Sequence, residues 1–123
     1  MKTSQNMSTL TNYSQRLNPL DIRQGLAISQ ERMSTLLKVS TKTVTRWEKG
    51  ERRPSDRDTL SRLAKLKEIK ELGLMVYTPE GLKEFLNTPL PVFNGRCALE
   101  LLQLGEYETV IGTLAADYEG TGF

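Results

Sequence analysis

The sequence has no histidine and a single cysteine among its 123 residues. Imidazole is the usual general acid–base group near neutral pH and the commonest zinc ligand, and one thiol cannot build a thiolate cluster. No metal site of ordinary ligand spacing is therefore expected. The lone Cys97 has no partner for an intramolecular disulfide and reads as a small buried hydrophobe. The amino terminus lacks the basic stretch and apolar core that direct secretion, so a cytoplasmic chain is expected. No apolar run approaches the ~20 residues that a membrane-spanning helix needs, and no membrane partner is expected. No phosphate loop and no nucleophile paired with a base occurs. At this length roughly two-thirds of the unfolded surface can be buried, which suits a modest core and not a large enclosed active site. No catalytic residue and no cofactor are expected.

What the chain does have is a division of charge that its net value of +2 conceals. Residues 1–70 carry 15 basic and 7 acidic side chains, whereas residues 71–123 carry 2 basic and 8 acidic ones. A basic field concentrates polyanions and an acidic one repels them, so the two halves suit different partners.

Residues 1–18 are rich in Ser, Thr and Asn, contain no acid and show no apolar period, and read as a mobile arm whose Lys2 and Arg16 could reach a phosphate backbone. From Pro19 the pattern turns helical. Asn18 and Pro19 suit a helix start, with Leu20, Ile22, Leu26 and Ile28 as apolar positions. Ser29 caps a second helix over Gln30–Leu37, and Lys38-Val39-Ser40 is a turn. Ser40 caps a third helix of about nine residues that stops at Gly50. In that helix only Val44 and Trp47 are large and apolar, so they face the core while Thr41, Lys42, Thr45, Arg46 and Lys49 stay outside.

After the linker Glu51-Arg52-Arg53-Pro54, Ser55 is expected to open a fourth helix with Leu60, Leu63, Ala64, Leu66, Ile69 and Leu72 inward and an end at Gly73. Thr78-Pro79 restarts a helix carrying Leu82, Phe85 and Leu86. Residues 87–95 form a proline-containing loop, and short helices at 98–103 and 106–118 are split by Gly105. No β alternation appears, so the fold class is all-α.

Two helices joined by a three-residue turn, the second basic and poor in core residues, match what entry into a DNA major groove requires. Gln30 and the amide groups at the amino end of the second helix can hold a phosphate. Thr41, Lys42 and Thr43 open the third helix and Arg46 lies one turn on, so these side chains can reach base edges, with Thr45 on the same outer face. Arg46 is the candidate for a bidentate contact to guanine. Lys38, Lys49, Arg52 and Arg53 are candidates for phosphate contacts.

On Ser29-Gln30-Glu31, Val39-Ser40, the run from Val44 to Gly50 and Arg53-Pro54, the stretch from Ile22 to Ile69 resembles the Xre/phage-repressor class of helix-turn-helix domains. The resemblance implies a structural ion pair between Arg23 in the first helix and Glu48 after the recognition helix. A departure is Met33-Ser34-Thr35, where the class often has a small alanine-like residue. The expected domains are an arm at 1–18, a helix-turn-helix domain at 19–72 and a small helical domain at 73–123.

In the acidic half, Leu90, Val92, Phe93 and the terminal Phe123 are more apolar surface than so short a segment can bury alone, and they are candidates for a partner-facing patch. Leu86, Pro89, Pro91, Gly95, Leu99 to Leu102, Gly105 and Glu106 resemble the toxin-binding domain of Xre/MbcA/ParS-type antitoxins. The family's Ser/Thr cap before the Leu-Glu-Leu-Leu helix is replaced here by Cys97, which caps poorly. The resemblance implies an antitoxin that neutralises an NAD-consuming RES-domain toxin and represses its own operon through double-stranded operator DNA. It also implies a toxin-binding or dimerisation role for the second domain, with residues 117–123, including Asp117 and Tyr118, at the toxin's cleft. Operators that are inverted repeats call for a homodimer and for a larger complex with the toxin. Two other readings compete. One is a stand-alone Xre-type repressor whose second half dimerises or binds a ligand. The other is an enzyme built on carboxylates such as Glu100 with Glu106 or Glu108.

Overall fold

Five of the α-helices start where a short polar side chain takes an otherwise unpaired backbone N–H. In the computed structural model, which describes residues 17–120, Asn18 accepts a hydrogen bond from the Asp21 amide at 3.2 Å and opens α1 (Pro19–Leu26). Ser29 accepts from the Arg32 amide at 3.0 Å and opens α2 (Gln30–Leu37). Ser40 accepts from the Thr43 amide at 3.1 Å and opens α3 (Thr41–Glu48). The stop expected at Gly50 is present, with its φ at +78°. The expectations for Lys2, Arg16 and Phe123 lie outside the described residues.

Two expectations for the next helix change. Asp56, not Ser55, caps α4 (Arg57–Val76), its carboxylate accepting from the Thr59 amide at 3.2 Å and the Thr59 hydroxyl at 3.4 Å. The helix also runs through Gly73 to Val76. Gly73 is buried against α5 (Pro79–Asn87), where a Cβ would stand 2.6 Å from Cδ1 of Leu82. Its missing side chain serves close helix packing and not chain termination. Ala64, expected on the apolar face, is exposed because it lies a quarter-turn off the Leu63 stripe.

After Thr78 caps α5, the chain makes a 3-10 turn at Pro91–Phe93 and then forms α6 (Ala98–Gln103) and α7 (Tyr107–Tyr118). α7 starts one residue later than expected, and Gly105 between the two helices has φ +81°. Cys97 provides little as a cap, and Glu100 makes up for it by accepting the Cys97 amide at 2.9 Å. That bond holds the Glu100 carboxylate below its ordinary range. Among the described residues there is no strand.

α4 is the central element, packing against α1, α2, α5 and α7. Ile22 and Leu26 of α1, Met33 and Leu37 of α2, and Leu63, Leu66 and Ile69 of α4 join Leu82, Leu86, Leu102 and Leu114 in one buried cluster. α1 also touches α5, and α2 touches α6. The boundary expected between residues 72 and 73 therefore falls inside a continuous helix and across a shared core.

Candidate nucleic-acid interface

The turn between α2 and α3 is set by Lys38, whose φ of 60° reverses the chain, and by the Val39 amide donating to the Ser34 carbonyl at 3.0 Å. Met33, Leu36 and Leu37 on one side and Val44 on the other bury the seam between the helices. Trp47 is half-buried against the same cluster. Ser34, in the segment that departs from the Xre-like pattern, is 7% exposed and fills the small-residue position. Its hydroxyl donates to the Glu31 carbonyl at 2.7 Å and lies 3.3 Å from the Thr41 hydroxyl, so this serine joins α2 to α3. Sequence reading missed that role, although the small side chain was the signal for it.

α3 presents its remaining face outward. Lys42 and Lys49 are exposed, Thr41, Thr43, Thr45 and Arg46 are half-buried, and Lys38, Arg52 and Arg53 are exposed at its flanks. Among the described residues, none of the six cationic side chains in this group is paired with a carboxylate. An unpaired cation on a rigid helix can neutralise a phosphate without first breaking an internal ion pair.

Behind this face, Arg23 and Glu48 form the ion pair that the resemblance implied. Nε of Arg23 donates to Oε2 at 2.6 Å and Nη2 to Oε1 at 2.9 Å, while Nη1 donates to the Ile28 carbonyl at 3.0 Å. The side chains are 19% and 9% exposed. The Arg23 hydrogen bond lowers the Glu48 pKa, burial opposes it, and a hydrogen bond from Gln30 adds to the lowering. The same bond raises the Arg23 pKa.

Gln30, expected to hold a phosphate, has its amide nitrogen committed to Glu48 at 2.8 Å and its carbonyl oxygen 3.4 Å from the Thr45 hydroxyl. It braces α3 from α2.

The acidic half places its candidates unevenly. Phe93, expected on a partner-facing surface, is 3% exposed and packs edge-on against Phe85 at 6.1 Å, which in turn stacks on Tyr77 at 5.4 Å. Leu90 is half-buried against the core. Val92 and Tyr118 do face solvent, at 62% and 55% exposure. Asp117 is exposed and accepts from the Tyr77 hydroxyl at 3.2 Å. Met75 and Leu104 are exposed apolar side chains that sequence reading missed. Met75 lies on the extension of α4 past Gly73, the expected helix end.

Two of the three carboxylates of the enzyme reading have structural tasks: Glu100 caps α6 and Glu108 pairs with Lys65 of α4. Among the described residues no group of His, Cys, Asp and Glu could hold a metal ion. No helix among them is long and apolar enough to cross a membrane.

Residues 20–66 match a family model described as Helix-turn-helix. No curated protein matches the chain. The whole architecture is similar to a chain in the crystal structure of the M. tuberculosis MbcT-MbcA toxin-antitoxin complex, with a TM-score of 0.73 and 20% sequence identity. The likeness covers 88% of this chain and 96% of that one. The segment from α1 into α4 thus matches a helix-turn-helix model, and the fold of the chain is similar to that of a protein in a toxin–antitoxin complex.

Proposed function

We propose that this chain is the antitoxin of a toxin–antitoxin pair, binding operator DNA through α3 and neutralising its toxin through the acidic half. One observation carries the reading: the likeness to a chain of the MbcT-MbcA complex extends over 88% of this chain, well beyond the helix-turn-helix segment. A DNA-binding domain alone would leave residues 67–120 without a counterpart. The resemblance of Leu86 to Glu106 to antitoxin sequences makes a RES-domain, NAD-consuming toxin the partner.

The division of charge supports the division of labour. The unpaired cations on and beside α3 suit phosphate, and the surface from Val92 to Tyr118 lies in the acidic half, where polyanion binding is disfavoured. The reading includes a homodimer placing two α3 helices about one turn of DNA apart, a cytoplasmic location, and no reaction catalysed by the chain itself. Among the candidate toxin contacts, Val92, Asp117 and Tyr118 are accessible, and Leu90 is partly so.

The test is co-expression with the neighbouring reading frame. Growth arrest by the neighbour alone, rescue by this chain and co-purification of the two are expected. A harmless neighbour that does not co-purify would overturn the antitoxin reading while leaving operator binding to be judged separately by gel shift on the upstream DNA.

A further inference from the structure

Three of the eight residues of α3 are threonines, and their hydroxyls are not free. The Ser34 hydroxyl donates its single proton to the Glu31 carbonyl at 2.7 Å, so the proton between Ser34 and Thr41, 3.3 Å apart, comes from Thr41. The Thr45 hydroxyl donates to the Thr41 carbonyl at 3.0 Å, with the Gln30 oxygen as a second acceptor at 3.4 Å. The Thr43 hydroxyl is paired with that of Ser40 at 2.9 Å. Thr41 and Thr45 therefore bring no donor to a DNA groove.

Lys42 and Arg46 are in the opposite condition. They lie four residues apart on the outward stripe, and neither side chain has a partner among the described residues. In the major groove, guanine offers two acceptors, adenine an acceptor and a donor, and cytosine a donor, while thymine adds a methyl group to its acceptor. Lys42 and Arg46, the donors on this helix without a partner, suit guanine. A threonine with its hydroxyl held inside keeps a fixed rotamer and a methyl group to offer, which suits the thymine methyl.

We propose that α3 reads a half-site of guanine beside thymine, with Lys42 and Arg46 contacting guanine and the Thr41 methyl, flanked by that of Thr45, packing on a thymine methyl. Thr41 has the leading role because it stands in the first turn of α3, the end that reaches base edges in helix-turn-helix docking. The inference rests on the reading of α3 as a major-groove helix. It makes Thr41 a specificity-determining residue that acts through shape and not through a hydrogen bond to the base.

The full-length protein first selects its preferred duplex from a randomised pool, and each thymidine of that site is then replaced in turn by deoxyuridine, which lacks only the methyl. At one thymidine per half-site the wild type is expected to bind the uracil duplex about fourfold more weakly, the worth of one buried methyl. Thr41→Ser keeps the hydroxyl and should lose this preference, whereas Thr41→Val keeps the methyl and should retain it.

Equal binding of every uracil duplex by the wild type, or a selected site without thymine, overturns the assignment. A preference that survives in Thr41→Ser and vanishes in Thr41→Val also overturns it, by returning the role to the hydroxyl. Failure to select any sequence overturns the major-groove reading of α3 and the methyl contact with it.

Discussion

Arg23 and Glu48, 25 residues apart, meet through two hydrogen bonds of 2.6 and 2.9 Å and fasten α1 to the last turn of α3. Because the Arg23 bond holds Glu48 below its ordinary value of 4.5, the folded carboxylate binds its proton less readily than the unfolded one. Its contribution to stability is full above the unfolded value and is lost as pH falls through the folded one. Glu48→Gln is expected to be less stable at neutral pH by about 2 kcal/mol, since a hydrogen-bonded charge is lost. The gap should begin to narrow below pH ~4.5, where the unfolded chain protonates, and close as pH falls through the lower folded value of Glu48. Urea midpoints of both proteins across the acid range check this, and parallel curves would deny the pair its role.

Gly73 and Gly112 should respond oppositely to the same change. Alanine is the better helix former by about 1 kcal/mol, and at Gly112, where nothing lies within 4 Å, Gly112→Ala should gain about that much. At Gly73 the added methyl meets the fully buried Leu82 at 2.6 Å, and overpacking of about 1–3 kcal/mol should outweigh the propensity gain. Thermal unfolding of the two variants decides; stabilisation of Gly73→Ala would mean that Leu82 can move aside.

Arg46→Ala should weaken binding to the selected operator by about 1–3 kcal/mol and leave non-specific binding nearly unchanged. Arg52→Ala and Lys49→Ala should weaken both and reduce the salt slope by about one ion each. Titrations at several salt concentrations separate the two behaviours. An Arg46 effect equal on all sequences would make it a phosphate contact.

Because α1 and α2 share a core with α5 and α6, both halves should unfold together. Emission from Trp47, the only tryptophan, reports on the helix-turn-helix half, and far-UV circular dichroism reports on all helices. The two probes should give coincident urea transitions. A separate, earlier loss of helix signal would show that residues beyond α4 fold as an independent unit.

Much of the fold is legible in the sequence. Asn18, Ser29, Ser40 and Thr78 mark four helix starts, because a cap bonds an amide only three residues along. The basic face of α3 is equally local, since Val44 and Trp47 leave no other stripe to bury. Ser55 misled because Asp56 beside it is an equally good cap, and the buried Thr59 favours the aspartate by offering it a second donor.

Gly73, Gln30 and Phe93 could not be placed that way. A glycine that stops a helix and one that admits a neighbour look alike in sequence until Leu82, nine residues on, is seen packed against it. Whether Gln30 turns to a phosphate or to Glu48, and whether Phe93 faces a partner or Phe85, depends on side chains brought from other helices. The sequence by itself determined helix order, most caps and the basic outer face of α3, because these follow from charge and from bonds within one turn. The tertiary structure alone decided which hydroxyls and amides stay free for a ligand, and which apolar side chains remain outside. Those outcomes depend on contacts between helices, whose geometry is set only when the shared core closes.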